Sequence, residues 1–149
     1  MLQGSVREVV GAAPKEVFAV VTDLERLPEW NELIQGVVER PTVLAPEAEW
    51  VVELRAMGNR WRSRSRVLEF DASVRRFVYR TQTDDGNPSF AIWTWQVDDD
   101  PAGARVIVGW ELYPKTFWRR ALLGRIRNRQ LHGEVRASIH AASRVAEPA

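Results

Sequence analysis

The segment Thr116–Ser143, TFWRRALLGRIRNRQLHGEVRASIHAAS, is the one long segment that both lacks proline and has helical spacing. Leu131, Val135, Ile139 and Ala142 recur at steps of three and four residues, which puts them on one face of a helix. Between Leu33 and Tyr113 nearly everything reads as strands. One long helix and one large antiparallel sheet cannot bury their apolar faces separately, so they must share a core. The expected fold is α+β: a curved antiparallel sheet of about seven strands wrapped around the long C-terminal helix. A ligand cavity is expected between the two.

The 149 residues are expected to form one domain, 1–149, with a substantial core. The hydrophobic (45%) and charged (28%) fractions are ordinary for a globular chain. A formal net charge of +1 gives no electrostatic footprint for nucleic acid. There is no cysteine, which excludes disulfides, thiol catalysis and cysteine metal sites and fits a cytoplasmic location. Met1–Ser5 lacks a basic region followed by an apolar run, so no signal peptide is expected. Seven tryptophans are many for this length; such side chains both fill cores and line apolar pockets.

Taken in order, residues 2–10 read as a first strand, and Pro14 opens a short helix with Val17, Phe18, Val20 and Val21 on its apolar face. A second helical turn from Thr22 through Glu25 is expected to end near Pro28, with Glu29-Trp30-Asn31 as a bend. Strands are expected at 34–39, 49–57, 60–70, 75–83, 89–97 and 105–113, joined by short turns into a meander. Gly58-Asn59 reads as a two-residue hairpin turn. That turn sets Ala56 opposite Trp61, Leu54 opposite Ser63, Val52 opposite Ser65 and Trp50 opposite Val67, all on one apolar face. The other face carries Glu53 against Arg64, with Arg55, Arg62 and Arg66, and is expected to be solvated. Phe77, Tyr79 and Thr81 join the apolar face, as do Trp93, Trp95 and Val97, and then Val106, Val108, Trp110 and Leu112. Thr116 is placed to cap the final helix.

This order resembles the START-like (SRPBCC) superfamily with the helix-grip fold, and within it the polyketide cyclase/dehydratase-like branch. The residues that carry the resemblance are Ala13–Phe18 and Val21–Trp30 (APKEVF…VTDLERLPEW), the closing strand Gly103–Leu112 (GARVIVGWEL) and the arginine-rich start of the last helix. The resemblance covers essentially the whole chain. It implies a container for lipids, polyketides, quinones or similar molecules, and places Trp30 at the rim of its mouth.

The chemistry is sparse. His132 and His140 are the only histidines and have no matching acidic or cysteine cluster, so no metal is expected. No phosphate-binding, dinucleotide-binding or nucleophile-elbow motif is present, and no cofactor is expected. Ser63 and Ser65 are short residues among tryptophans. They either bond buried polar partners or leave room for a ligand. The expected wall is Trp30, Trp50, Val52, Leu54, Trp61, Ser63, Ser65, Phe77, Tyr79, Trp93, Trp95 and Trp110, with Asn128, Leu131 and Val135 from the helix. The leading reading is binding, transport or sequestration of a hydrophobic or aromatic small molecule. A second is a cyclase or dehydratase on a polyketide-like chain, with His132 or Tyr79 moving protons. A third is a quinone-binding or membrane-associated accessory protein that touches a membrane through Phe117–Arg129. Oligomeric state is not encoded in any of these features.

Overall fold

The structure, a computed structural model, describes residues 1–116 and 124–147. Strand β1 (Leu2–Val10) leads into α1 (Pro14–Val21), a 3₁₀ turn (Leu24–Arg26) and the short α2 (Leu27–Trp30). Six strands follow: β2 (Ile34–Glu39), β3 (Glu49–Ala56), β4 (Asn59–Asp71), β5 (Arg76–Thr83), β6 (Phe90–Asp100) and β7 (Gly103–Tyr113). The long helix α3 spans Gly124–Ala146 and runs unbroken through Gly133. The expected cap at Thr116 and the segment Phe117-Trp118 through Leu123 concern a helix start that lies outside the described residues. Pro28 does not end a helix as expected; it sits in the first turn of α2, where its fixed φ suits the helix and no hydrogen bond from its nitrogen is required.

Among the described residues the strands form one antiparallel sheet in the order β1-β7-β6-β5-β4-β3-β2. The meander is local, and only β1 joins out of sequence, on β7. Turns make this possible. At the Asp100-Pro101-Ala102-Gly103 turn the end of β1 lies so close that a Cβ on Gly103 would collide with the backbone of Val10 and Gly11. Gly103 also has φ 146°, so the position requires glycine on two counts.

The β3–β4 hairpin differs from the expectation by one residue in its turn. The turn residues are Met57 and Gly58, both with positive φ (52° and 80°), rather than Gly58-Asn59. The pairs are therefore Leu54↔Trp61, Val52↔Ser63, Trp50↔Ser65 and Glu53↔Arg62. This moves each partner by two positions, and side chains alternate with a period of two, so every residue keeps its expected face. The expected turn would set Arg55 opposite Arg62; the observed one sets it opposite Arg60, also a like charge. A bulge between Val67 and Glu69 then lets both Val67 and Phe70 face the core.

The core joins α1, α2, α3 and the concave face of the sheet. Val67, Val97, Val106, Val108 and Ile139 are fully buried. Burying each such side chain contributes roughly 1.5–3 kcal/mol. The helix face read from the sequence is the buried one: Leu131, Val135, Ile139 and Ala142. The helices pack mainly over β1, β2, β6, β7 and each other. Among the described residues, no helix packs directly on the concave side of β3, β4 and β5.

Candidate functional site

That uncovered concave surface walls a cavity of about 1270 Å³. The volume exceeds the ~300–1,000 Å³ of a typical small-molecule site. Its floor is the inner face of β3–β6: Trp50, Val52, Leu54, Trp61, Ser63, Ser65, Phe77, Tyr79, Thr81, Trp93 and Trp95. Its roof is Val21, Leu24, Leu27 and Trp30 from the first helices and Gln130, Leu131, Glu134, Val135, Ser138 and Ala141 from α3. Exposed charged residues on the lining, including Glu29, Glu32, Asp85, Arg127, Glu134 and Arg144, mark where the cavity meets solvent. Arg127 and Glu134, two turns apart on α3, pair at 2.7 Å along the helix side of that mouth.

Inside, the wall is aromatic and interlocked. Trp50 stacks on Phe77 with centroids 5.8 Å apart and meets Tyr79 edge-on at 5.2 Å. Trp30 meets Trp95 edge-on at 5.4 Å. Each ring fixes its neighbour, because offset and edge-on contacts put a positive ring edge against a negative face.

The polar groups in this wall are few. Ser65 and Thr81 face each other across β4 and β5, and their hydroxyls are hydrogen-bonded together. One O–H is donated in that bond, which leaves the second proton free. Ser63 Oγ donates to the Gln82 carbonyl at 3.4 Å. Burial pushes the Tyr79 phenol up to about 12, against an opposing hydrogen bond from Trp95. Tyr79 therefore keeps its proton through the physiological range. The surface it retains belongs to the cavity wall. The Trp30 indole N–H is buried and has no hydrogen-bond partner among the described residues.

Three expected site residues stand elsewhere. Trp110 lies between β1 and α3 and donates its indole N–H to Asn128 Oδ1 at 2.8 Å, so the two satisfy each other away from the cavity. His132 is exposed and packs edge-on against that same tryptophan, with centroids 4.9 Å apart. It does not reach the cavity, which removes the geometric basis for using it as a proton carrier there. Trp30 lines the cavity, but at 6% exposure it is a buried wall residue and not a rim residue. The reason is local: α2 continues through it and turns the indole inward onto Trp95. Sequence reasoning missed the roof, including Leu24, Leu27, Gln130, Glu134, Ser138 and Ala141. The last four fall at three- and four-residue steps beside the buried stripe of α3, a mixed band that helical spacing could have marked.

Comparison with known proteins bears on what such a frame is. A family model described as polyketide cyclase/dehydrase and lipid transport matches residues 1–147. A structure of a protein from Chromobacterium violaceum superposes with TM-score 0.78 at 20% identity, covering 99% of this chain and 98% of that one. An aromatase/cyclase from Streptomyces sp. R1128 gives 0.74 at 14%, covering 97% and 92%. The di-domain ARO/CYC BexL gives 0.77 at 22%, covering 99% of this chain and 48% of that one. A search of curated proteins gives no match. At these identities the structural likeness speaks for the fold. No helix among the described residues is long and apolar enough to cross a membrane. With the family model spanning the described sheet and helices almost end to end, the chain belongs to the polyketide cyclase/dehydrase and lipid transport family, built on the helix-grip fold of the START-like superfamily.

Proposed function

We propose that the protein binds a hydrophobic, ring-containing small molecule in the cavity and carries or sequesters it. The observation that supports this reading is the hollow itself. Protein interiors pack like organic crystals, and an aromatic-walled space of about 1270 Å³ facing β3–β5 is far from that density. Closing water out of such a space and replacing it with an apolar molecule is favourable by area alone. Few polar groups, each held in place, would orient the molecule. The experiment is native mass spectrometry of the purified protein with organic extraction of retained compounds, followed by tryptophan-fluorescence titration. A retained apolar compound, or saturable quenching by an aromatic ligand panel, is expected. An empty protein that no panel member quenches would overturn the reading.

A second reading, cyclisation of a polyketide-like chain, draws on the family description and on one observation. The Tyr79 hydroxyl keeps its proton to about 12 and stands inside the cavity. It could hold a substrate carbonyl by hydrogen bonding while the wall folds the chain into a reactive geometry. In that case Tyr79→Phe would slow conversion of an added polyketide-like substrate without preventing its binding. A retained compound recovered unchanged after incubation with the protein favours the container.

A further inference from the structure

Two costly choices meet at the tip of the β3–β4 hairpin. Met57 stands in the left-handed region (φ 52°), where glycine or asparagine is the cheaper residue, and its side chain is 99% exposed. Beside it, Arg55 faces Arg60 across the two strands, and neither has an ion-pair partner among the described residues. Packing explains neither choice, and departures from local preference that packing does not explain mark functional sites. The tip also stands at the cavity mouth. Leu54 and Trp61, the next pair in from Arg55 and Arg60, line the cavity. The Arg55 N–H donates to the carbonyl of Leu33, another lining residue, at 2.9 Å. On the α3 side of the same opening, Ile126 lines the cavity and is still 49% exposed, with Arg125 and Arg129 exposed beside it. Carboxylates at this end do not cancel these charges. Glu29, Asp84 and Glu134 are paired with Arg26, Arg64 and Arg127, and Glu53 faces Arg62. Glu32 and Asp85 are outnumbered by Arg55, Arg60, Arg125 and Arg129.

We infer that this end of the protein docks on an anionic phospholipid bilayer, with Met57 entering the acyl boundary and Arg55 and Arg60 on lipid phosphates. Both costs are then offset: an apolar side chain leaves water, and two like charges gain counter-charges. Exposed apolar residues ringed by basic ones are the pattern of a contact that lies on a membrane surface. A bilayer fits better than a protein partner. The apolar contact is one thin hairpin tip and one helix residue, far short of the roughly 800 Å² per partner of a stable protein interface. Docked this way, the cavity mouth faces the bilayer, and an apolar molecule passes between the two without crossing water. The inference stands apart from the container reading, because docking is read on lipid alone with no cavity ligand present.

The chain has no cysteine, so Met57→Cys carries a single thiol for the polarity-sensitive dye NBD. Val74→Cys, exposed in the turn at the other end of β4, is the control. Each labelled whole chain is mixed with vesicles of phosphatidylcholine alone and of an equimolar mixture with phosphatidylglycerol. The dye at position 57 is expected to shift to the blue on the anionic vesicles only, and to be quenched by nitroxide-bearing lipid. The dye at position 74 should do neither. Unlabelled Met57→Asn removes the apolar side chain and sets the preferred Asn-Gly pair in the turn. It should fold at least as stably as the parent, yet bind anionic vesicles about tenfold more weakly in sedimentation. Arg55→Ser with Arg60→Ser should also weaken binding about tenfold and remove much of its salt dependence. No binding to anionic vesicles, full binding by Met57→Asn, or a response at position 74 in place of 57 would overturn the inference. A dye at position 57 that ignores vesicles but shifts as protein concentration rises would give the tip to a second copy of the chain, and overturn it equally.

Discussion

Gly4 has no side chain because Trp110 occupies the space one would need. A Cβ there would lie 2.5 Å from Trp110 Cζ2 and 2.7 Å from Cε2, on the rigid part of a buried indole. Trp110 cannot retreat easily, since its N–H is bonded to Asn128 on α3. Gly4→Ala is therefore expected to destabilise the fold by about 1–3 kcal/mol, the usual cost of overpacking. Urea denaturation would show it, and the Trp110 indole NMR signal should move as the Asn128 bond is disturbed. An unchanged midpoint would mean that β1 can slide away from β7. Tyr79 gives a second test at this scale. Its phenol holds a proton to about 12 when folded, against about 10 when unfolded. Between those values the unfolded chain binds fewer protons than the folded one, so stability falls as pH rises from 10 to 12. Comparing urea midpoints at pH 10 and pH 11.5 should show a smaller drop in Tyr79→Phe than in the parent, with Tyr113 common to both.

Elements were legible from the sequence where a short-range period or a breaker residue fixed them. The bounds of β1 and β2 follow from the pattern alone, and the inner faces of β3, β5, β6 and β7, and of β4 as far as its bulge after Val67, follow from alternation. The hairpin turn was displaced by one residue because Met57 adopts a positive φ that the sequence gives no reason to expect of methionine. Its face survived because parity did. The exposed side of that hairpin keeps Arg55 opposite Arg60, and neither has an ion-pair partner among the described residues. Like charges directly opposite each other across two strands cost stability, and opposite charges contribute roughly 0.2–1 kcal/mol. Arg55→Glu is thus expected to raise the melting temperature at low salt. The gain should shrink in 0.5 M NaCl, because the Debye length then falls below the spacing of exposed groups. A gain that ignores salt would mean the substitution acts through strand propensity instead.

At the scale of the whole molecule, the same inner face is core in one place and cavity wall in another. Trp95 and Trp110 both face inward on adjacent strands, and alternation cannot tell them apart. What separates them is lateral position: β1 and α3 cover Trp110, and the hollow lies beside Trp95. The placement of α3 across the sheet is a long-range property, set by its contacts with β1, α1 and α2, so the sequence could nominate wall residues but not sort them. The sorting has a direct thermodynamic test at Ser63. This residue is 7% exposed, lines the cavity, and makes a single hydrogen bond at 3.4 Å, so its hydroxyl has little to lose. In a filled core, replacing it with leucine would overpack and cost about 1–3 kcal/mol. In a hollow, the added methylenes gain roughly 0.8 kcal/mol each as they bury against the aromatic wall. Ser63→Leu is expected to raise the melting temperature by a few degrees and to weaken aromatic ligand binding at least tenfold. Calorimetry with a parallel fluorescence titration reads both. A melting temperature that falls while the binding isotherm is unchanged would mean that this wall is already packed and the ligand sits elsewhere. A rise in stability together with loss of binding would mean that the molecule forgoes stability to keep the space open.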